Sequence, residues 1–358
     1  MRAKTQRAWM EVVTGRRRGV VAGALRLAYA AASAVYAGAL WLRNGTFALG
    51  LRRRQRLSGP VIGVGNITLG GTGKSPMVEM LTRRLEARGL KVAVVSRGYG
   101  REISGVDDEA FAAGIRLAGG DRVERAREAF ERHGADVVLL DDGFHDLRLR
   151  RDFDIVMVDA SSPFGNGRLF PRGCLRETPR GLARADLIVI SRADMLSSEE
   201  LALLRAQLAG LSGGRPVAAA VHRPRAPRAL HGPPAPESLA GRRILGFCGL
   251  GNPLGFESTL KKLHAKVGAF RAFPDHHAYS DMELDGLEAE GRELEVDALV
   301  TTAKDAARLR ERPWSVPVWI LDVDLELVQG ASEIEAGLER ICARTGRRIG
   351  AAQGHGSA

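Results

Sequence analysis

Eight consecutive residues, Thr68-Leu69-Gly70-Gly71-Thr72-Gly73-Lys74-Ser75, constrain the fold of this chain more than any other stretch. They follow a short apolar run, Val61 to Val64, that closes on Gly65. They precede a pattern from about Ser75 to Arg88 that places Val78, Leu81 and Leu85 on one helical face. Glycines between a buried strand and a helix let successive backbone N–H groups converge on one concavity, and the helix N-terminus adds partial positive charge. Such a loop suits phosphates: Lys74 can reach the β- and γ-phosphates, and the Ser75 hydroxyl can ligate Mg²⁺. Thr68 stands where the usual pattern has its first glycine, so a strict motif search passes over it.

A second buried run, Val137-Val138-Leu139-Leu140, ends in Asp141-Asp142, carboxylates of the kind needed beside Mg²⁺. The plain alternative is a glycine-rich turn with a fortuitous Lys-Ser, and a strand that ends in aspartate for turn reasons. The strand–loop–helix frame together with the acidic strand end argues for a nucleoside triphosphate site. Apolar runs at Val92 to Ser96, Ile155 to Val158 and Leu187 to Ile190 read as further strands, with helical patterns at Asp108 to Leu117 and Arg122 to His133. Short apolar strands alternating with amphipathic helices predict a P-loop NTPase-like α/β fold, a parallel sheet with helices on both faces.

Residues 222–241 are dense in Pro, Arg and Gly and read as a linker. Beyond them a smaller α/β run begins, with strands at Ile244 to Phe247, Ala298 to Thr301 and Val316 to Leu321. Its helices are Phe256 to His264 and one opened by a Ser280–Glu283 capping box and closing near Leu294. The expected organisation is an anchor segment at 1–57, a P-loop domain at 58–221, the linker, a second α/β domain at 242–325, and a C-terminal helix and tail at 326–358.

Before the enzyme-like part, Val20 to Leu42 is almost wholly apolar with Arg26 as its one charge, flanked by Arg16, Arg17 and Arg18 and by Arg43, Arg52, Arg53 and Arg54. A signal peptide, a single span and an interfacial helix compete. Export conflicts with a need for cytoplasmic nucleotide, and Arg26 is costly in a span of about 20 residues. A helix lying in the interface, arginines on lipid phosphates and aromatics at headgroup depth, meets every feature. The net charge of +11 fits a partner carrying phosphate: nucleic acid, anionic membrane or phosphorylated substrate. Three scattered cysteines, Cys174, Cys248 and Cys342, argue against a disulfide framework or a zinc site.

The motifs point past the generic class. Gly65-Asn66-Ile67-Thr68, Ser96-Arg97-Gly98-Tyr99-Gly100, Asp141-Asp142-Gly143-Phe144, Phe164-Gly165-Asn166-Gly167, Leu175-Arg176-Glu177, Phe247-Cys248-Gly249, Asp275-His276 and Lys304-Asp305 occur in this order. The series resembles the tetraacyldisaccharide 4′-kinase family, from the N-terminal anchor to about Leu309. The resemblance implies a kinase at the cytoplasmic face of the bacterial inner membrane. It would use ATP and Mg²⁺ to phosphorylate the 4′-hydroxyl of an acylated glucosamine disaccharide 1-phosphate, the lipid A precursor. It further implies Asp108 as catalytic base, His276 assisting it, and Arg176 and Glu177 near the phosphates and metal. The anionic membrane surface is the other implied partner. Nucleic acid is not expected, since no helix-turn-helix or RNA module is recognisable, and no obligate protein partner is evident.

Departures from the family pattern are His145-Asp146 where Gln-His is usual, Ala303 in place of an acid, and Arg172 and Cys174 among usually small residues. Two other classes compete. Ser191-Arg192-Ala193-Asp194 loosely resembles the guanine reader of a P-loop GTPase or metallochaperone-like protein, with Ser for Asn and Arg for Lys. A non-enzymatic ATPase switch of the partition type would carry an early signature lysine in the loop, which Thr68-Leu69-Gly70 lacks.

Overall fold

The structure, a computed structural model, describes residues 3–96, 114–274, 277–309 and 311–346. These fall into two compact units. The first takes the described residues up to 96, then 114–221, then those from 325 onward; the second takes those from 222 to 324.

The first unit opens with two helices, α1 (Ala3–Val13) and α2 (Val20–Ala48). Its alternating part runs β1 (Val61–Asn66), α3 (Lys74–Glu86), β2 (Val92–Ser96), β3 (Ile115–Ala118), α4 (Arg122–Glu131), β4 (Val137–Asp141), β5 (Phe153–Asp159), β6 (Leu187–Ser191), α5 (Ser198–Ser212) and β7 (Val217–Pro224). The second unit contributes β8 (Arg228–His231), β9 (Arg243–Cys248), α6 (Pro253–Lys262), β10 (Lys266–Ala272), α7 (Asp281–Glu293), β11 (Ala298–Thr301), α8 (Ala303–Ala306) and β12 (Val318–Ile320). The chain then returns to the first sheet with β13 (Val323–Gln329) and α9 (Ala331–Arg344).

The first sheet has the order β13-β7-β6-β5-β1-β4-β2-β3, and the neighbours from β7 through β3 pair in parallel. Every residue of β1 is buried, as a strand covered on both faces requires. The sheet order turns around β1, with β4 on one side and β5 on the other, and in open parallel sheets ligands gather at the carboxyl ends of strands at such a point. The register sets Val64 opposite Asp141, so the glycine-rich loop and the two aspartates emerge side by side.

Three readings of the sequence are corrected. The helix expected from Asp108 to Leu117 ends in a strand instead: β3 is parallel to β2, and the remainder lies outside the described residues. Residues 222–241 are more than a linker, because β8 pairs antiparallel with β12 at the edge of the second sheet, whose order is β10-β9-β11-β12-β8. The C-terminal segment is no separate piece. Ile334, Leu338, Ile341 and Cys342 of α9 join the core formed by Ile62, Val64, Leu81 and Leu85. Adding a Cβ to Gly337 would bring it within 2.3 Å of the Phe153 ring, so the backbone of α9 packs directly on that side chain. Glu335 also pairs with Arg84 of α3 and with Arg88 just past its C-cap. The apolar repeat of α9 is what the core demands, and a helix with such a stripe cannot remain a solvated tail.

In the second unit the expected Ser280–Glu283 capping box opens α7. Asp305 explains two of its motifs together. Fully buried, it accepts hydrogen bonds from the Gly249 N–H at 2.9 Å, the Tyr279 hydroxyl at 3.0 Å and the Thr302 hydroxyl at 2.7 Å. A Cβ on Gly249 would lie 2.8 Å from the Pro274 carbonyl oxygen, so only glycine closes this turn.

Leu338→Ala should destabilise the first unit by about 2–5 kcal/mol, the range for opening a cavity in a packed core. Urea denaturation measures this, and a cost under about 0.5 kcal/mol, as at an exposed surface position, would return α9 to the status of a tail.

Candidate active site

The site begins with backbone. A Cβ at Gly65 would stand 2.3 Å from the Phe144 Cβ, so glycine is required for the 143–144 turn to close over the end of β1. Gly73 takes a left-handed conformation (φ 84°) as the N-cap of α3, which turns the loop into the helix. The loop is then held from two sides. Leu69 N–H donates to the Cys174 carbonyl at 2.7 Å and Arg176 N–H to the Ile67 carbonyl at 2.8 Å, zipping it to the 174–176 segment. From β6, the Ser191 hydroxyl donates to the Thr72 carbonyl at 2.9 Å, and Arg192 Nη2 donates to the Gly71 carbonyl at 3.1 Å. Arg192, itself in the left-handed region (φ 54°), is tied to Asp159 through its other guanidinium nitrogen. The residues that loosely resembled a guanine reader therefore brace the loop.

Charged side chains converge where β1 and β4 end. Asp142, buried and left-handed (φ 58°), accepts from Arg176 Nη1 at 2.7 Å on Oδ1, and Lys74 Nζ lies 3.7 Å from the same oxygen. Arg176 Nη1 also reaches Asn66 Oδ1 at 3.5 Å, while the buried Asn66 amide donates to the Thr68 carbonyl at 2.7 Å. Burial alone pushes the Asp142 carboxyl up, but Lys74 and Arg176 outweigh it and hold the group at about 2. Asp141, partly exposed, anchors the neighbouring backbone, its carbonyl accepting from Arg122 at 2.8 Å.

Glu177 sits in a different setting from the one its expected metal role suggests. One oxygen accepts from Arg43 Nη2 at 2.9 Å and lies 2.7 Å from His145 Nδ1, and the other accepts from Arg184 Nη2 at 2.6 Å. Arg184 in turn lies 4.4 Å over the Phe144 ring. Burial pushes Glu177 up, yet the His145 hydrogen bond and the Arg184 charge prevail and hold it at about 2. Desolvation is also the main reason the His145 imidazole is pushed down, which favours its neutral form. Of the expected residues, the structure thus brings together the loop from Thr68 to Ser75, Asp141, Asp142, Arg176 and Glu177. Asp108 and His276 lie outside the described residues.

Among the described residues, the buried Thr72 Oγ1, Asp142 Oδ2 and His145 Nε2 at this place have no hydrogen-bond partner. Orphaned groups of this kind cost about 1–3 kcal/mol each unless something else satisfies them. A carboxylate oxygen beside Lys74 fits a cation, and a hydroxyl in a glycine-rich loop fits a phosphate oxygen. Among the described residues no cluster of three or more His, Cys, Asp or Glu forms a cage for a metal. Mg²⁺ takes one or two carboxylates and fills its other positions with water and phosphate oxygens, a role the Asp142 carboxylate fits. Sequence reading missed Ser191 and Arg192 as braces and Arg43 as a partner of Glu177. The first pair stood out only as a poor motif, and nothing in the spacing links positions 43 and 177.

A parallel α/β sheet carrying this loop and its carboxylate partner at the turning point of the strand order defines a P-loop nucleotide enzyme. The family profile described as tetraacyldisaccharide-1-P 4′-kinase matches residues 25–343, further toward the C-terminus than the motifs alone reached. The chain is 39% identical over 347 residues to the tetraacyldisaccharide 4′-kinase of Anaeromyxobacter dehalogenans strain 2CP-C, covering 89% of this chain and 91% of that one. It is 38% identical over 300 residues to the enzyme of the same name from Geobacter metallireducens, covering 77% and 86%. A crystal structure of LpxK from Aquifex aeolicus in complex with ATP superposes with a TM-score of 0.66 at 27% identity, covering 88% of this chain and 99% of that one. The chain belongs to the tetraacyldisaccharide 4′-kinase family.

The two depressed carboxyls give the fold a pH dependence. Unfolded, Asp142 and Glu177 titrate near 3.8 and 4.5; folded, near 2, so their stabilisation is complete above the unfolded values and is lost as pH falls through the folded ones. Urea denaturation should show roughly 2–3 kcal/mol of loss per group between pH 5 and pH 2. Glu177→Gln should flatten that slope, and an unchanged slope would mean that Glu177 titrates normally.

Proposed function

We propose that this chain transfers the γ-phosphoryl group of ATP to the 4′-hydroxyl of tetraacyldisaccharide 1-phosphate at the cytoplasmic face of the bacterial inner membrane. Family membership supplies the acceptor. The observation that carries the reaction type is the convergence of Lys74, Asp142 and Arg176 at the mouth of the loop. Phosphoryl transfer has a loose transition state, so the protein's work is alignment and charge neutralisation. Backbone N–H groups from Gly70 to Ser75 cradle the phosphates, while Lys74 and Arg176 neutralise their oxygens. Bound Mg²⁺ supplies further charge neutralisation, held by the Ser75 hydroxyl and Asp142, with Asp141 beside them. The paired oxygens of Glu177 make it an organiser of His145 and the surrounding arginines, which leaves metal contact as its lesser role. Asp108 takes the proton of the weakly nucleophilic sugar hydroxyl, and His276 orients or relays for it.

The membrane reading draws on α2, whose polarity is the reverse of an ordinary surface helix. Its protein-facing stripe carries Tyr29, Ser33, Tyr36, Leu40 and Arg43 at alternating spacings of four and three. The Ser33 hydroxyl donates to the Leu169 carbonyl at 2.9 Å and accepts from the Arg172 N–H at 2.9 Å. Tyr29 packs with Trp9, Val13 and Cys174. The opposite stripe exposes Val20, Leu27, Val35 and Leu42, between 63% and 90%. By length and composition α2 could cross a bilayer. Its inner stripe, however, is bound to the globular unit from Tyr29 to Arg43, about 21 Å at 1.5 Å per residue. Lipid is left one face only, as in an interfacial helix. Arg26, on the inner side, donates to the Arg17 carbonyl at 3.4 Å and escapes the cost it would meet in a span.

A Mg²⁺/ATP assay in detergent micelles with tetraacyl disaccharide 1-phosphate, read by mass, tests the reaction. Wild type should add one phosphate; Lys74→Ala and Asp108→Ala should each lose at least a hundredfold, on the order expected for one charge-stabilising or base group. His276→Ala with unchanged turnover would remove its assisting role. Flotation with phosphatidylglycerol vesicles tests the surface: Leu27→Asp together with Val35→Asp should abolish binding, and retention would sink the interfacial assignment.

A further inference from the structure

We propose that α2 is a positioning element of the phosphate site as well as a lipid-facing helix, with Tyr36 and Arg43 as the residues that set Arg176 and Glu177; this rests on the reading of that site as the ATP site. The contacts form a short relay. The Tyr36 hydroxyl donates to the Arg176 carbonyl at 2.8 Å. Arg43 Nη2 donates to Glu177 Oε1 at 2.9 Å, and its Nη1 donates to the His145 carbonyl at 3.4 Å. One covalent step further, the Arg176 N–H holds Ile67 just ahead of the loop, and the Arg176 side chain holds Asp142 and Asn66. The helix therefore grips residues 145, 176 and 177, the three that fix the acidic side of the site.

Lipid contact alone does not account for this. A helix that only needed to seat a globular unit on a bilayer would pack its inner face with apolar side chains. Here that face spends a tyrosine hydroxyl and an arginine, its side chain 31% exposed, on two consecutive residues of one loop. Glu177, 3% exposed in its side chain, needs its cations, and removing one leaves a buried charge under-compensated. His145 shows where the strain would be felt. Its backbone is held by Arg43 and its Nδ1 by Glu177, so its buried Nε2, without a partner among the described residues, keeps its aim only while both hold. Because α2 is one continuous helix, its outer stripe and these inner contacts move together, and the seating of the helix and the geometry of the loop are coupled.

The test uses the full chain with Arg43→Ala, Arg43→Lys and Tyr36→Phe. Its readouts are a fluorescent ATP analogue for nucleotide affinity, steady-state kinase kinetics in micelles, and phosphatidylglycerol-vesicle flotation. Arg43→Ala should lose roughly tenfold in kcat/KM for ATP and Tyr36→Phe roughly threefold, as for loss of a charged and a neutral hydrogen bond. Arg43→Lys should recover part of the loss, while flotation and the KM for the lipid acceptor stay at wild-type values. A kcat/KM for ATP within about 1.5-fold of wild type in both Arg43→Ala and Tyr36→Phe would overturn the proposal. So would a loss confined to flotation and acceptor KM, which would make α2 a membrane element only. Should Arg43→Ala fail to fold, Tyr36→Phe, which deletes one hydroxyl, still decides the matter. Wild-type protein that neither binds ATP nor transfers phosphate would refute the kinase assignment itself, an outcome separate from any difference between wild type and variants.

Discussion

Two carboxylates buried at the carboxyl end of the central strand are the constraint from which the site is built. Asp142 and Glu177 cannot stay ionised inside the protein without cations, and each draws its own set, Lys74 and Arg176 for one, Arg43 and Arg184 for the other, which His145 also meets through a hydrogen-bond contact. Because those partners come from α2, the glycine-rich loop, the turn after β4 and the 174–184 segment, satisfying two charges fixes four pieces of chain. Breaking such a pair by removing one member is far more costly than never having made it. The arginine-rich composition of the chain thus has a local use here, apart from its general attraction to phosphate.

Helix α2 follows the same economy with the polarity reversed. Hydrogen-bonding groups of α2 turn inward because the loop they meet offers backbone carbonyls and a carboxylate rather than an apolar groove. Its apolar residues are left outside, where water would penalise them at about 25 cal/mol per Å². A lipid surface removes that penalty, and the arginines at both ends favour an anionic one.

Much of this was legible in residue order. The strand–loop–helix frame, the aspartates after β4, the parallel sheet and the α7 capping box all rest on local signals: glycine freedom, apolar runs, Ser-x-x-Glu spacing. The misreadings are equally physical. Ile115–Ala118 continues a helical pattern, yet the edge beside β2 takes it as a strand, tertiary pairing overriding local preference. Arg228–His231 lies in a Pro- and Arg-rich stretch whose composition hides a strand paired antiparallel at a sheet edge. Glu177 carried a family expectation that ignored its neighbours, and its partners Arg43 and His145 lie 134 and 32 residues away. Long-range ion pairing leaves no periodic trace, so the loop could be read from the sequence and the scaffold that braces it could not.

The return of the chain to its first sheet bears on how the molecule is made. β13 and α9 complete a core whose other walls come from β1, α3 and β5. On a ribosome that core stays open until residues beyond 323 have left the exit tunnel, while the described residues of the second unit, 222–324, form a continuous stretch that emerges earlier. The first-synthesised half therefore waits for the last with an apolar face uncovered, and an apolar N-terminal helix is exposed during the same interval. Early engagement of that helix with a bilayer would keep the unfinished sheet apart from other nascent chains until its closing helix arrives.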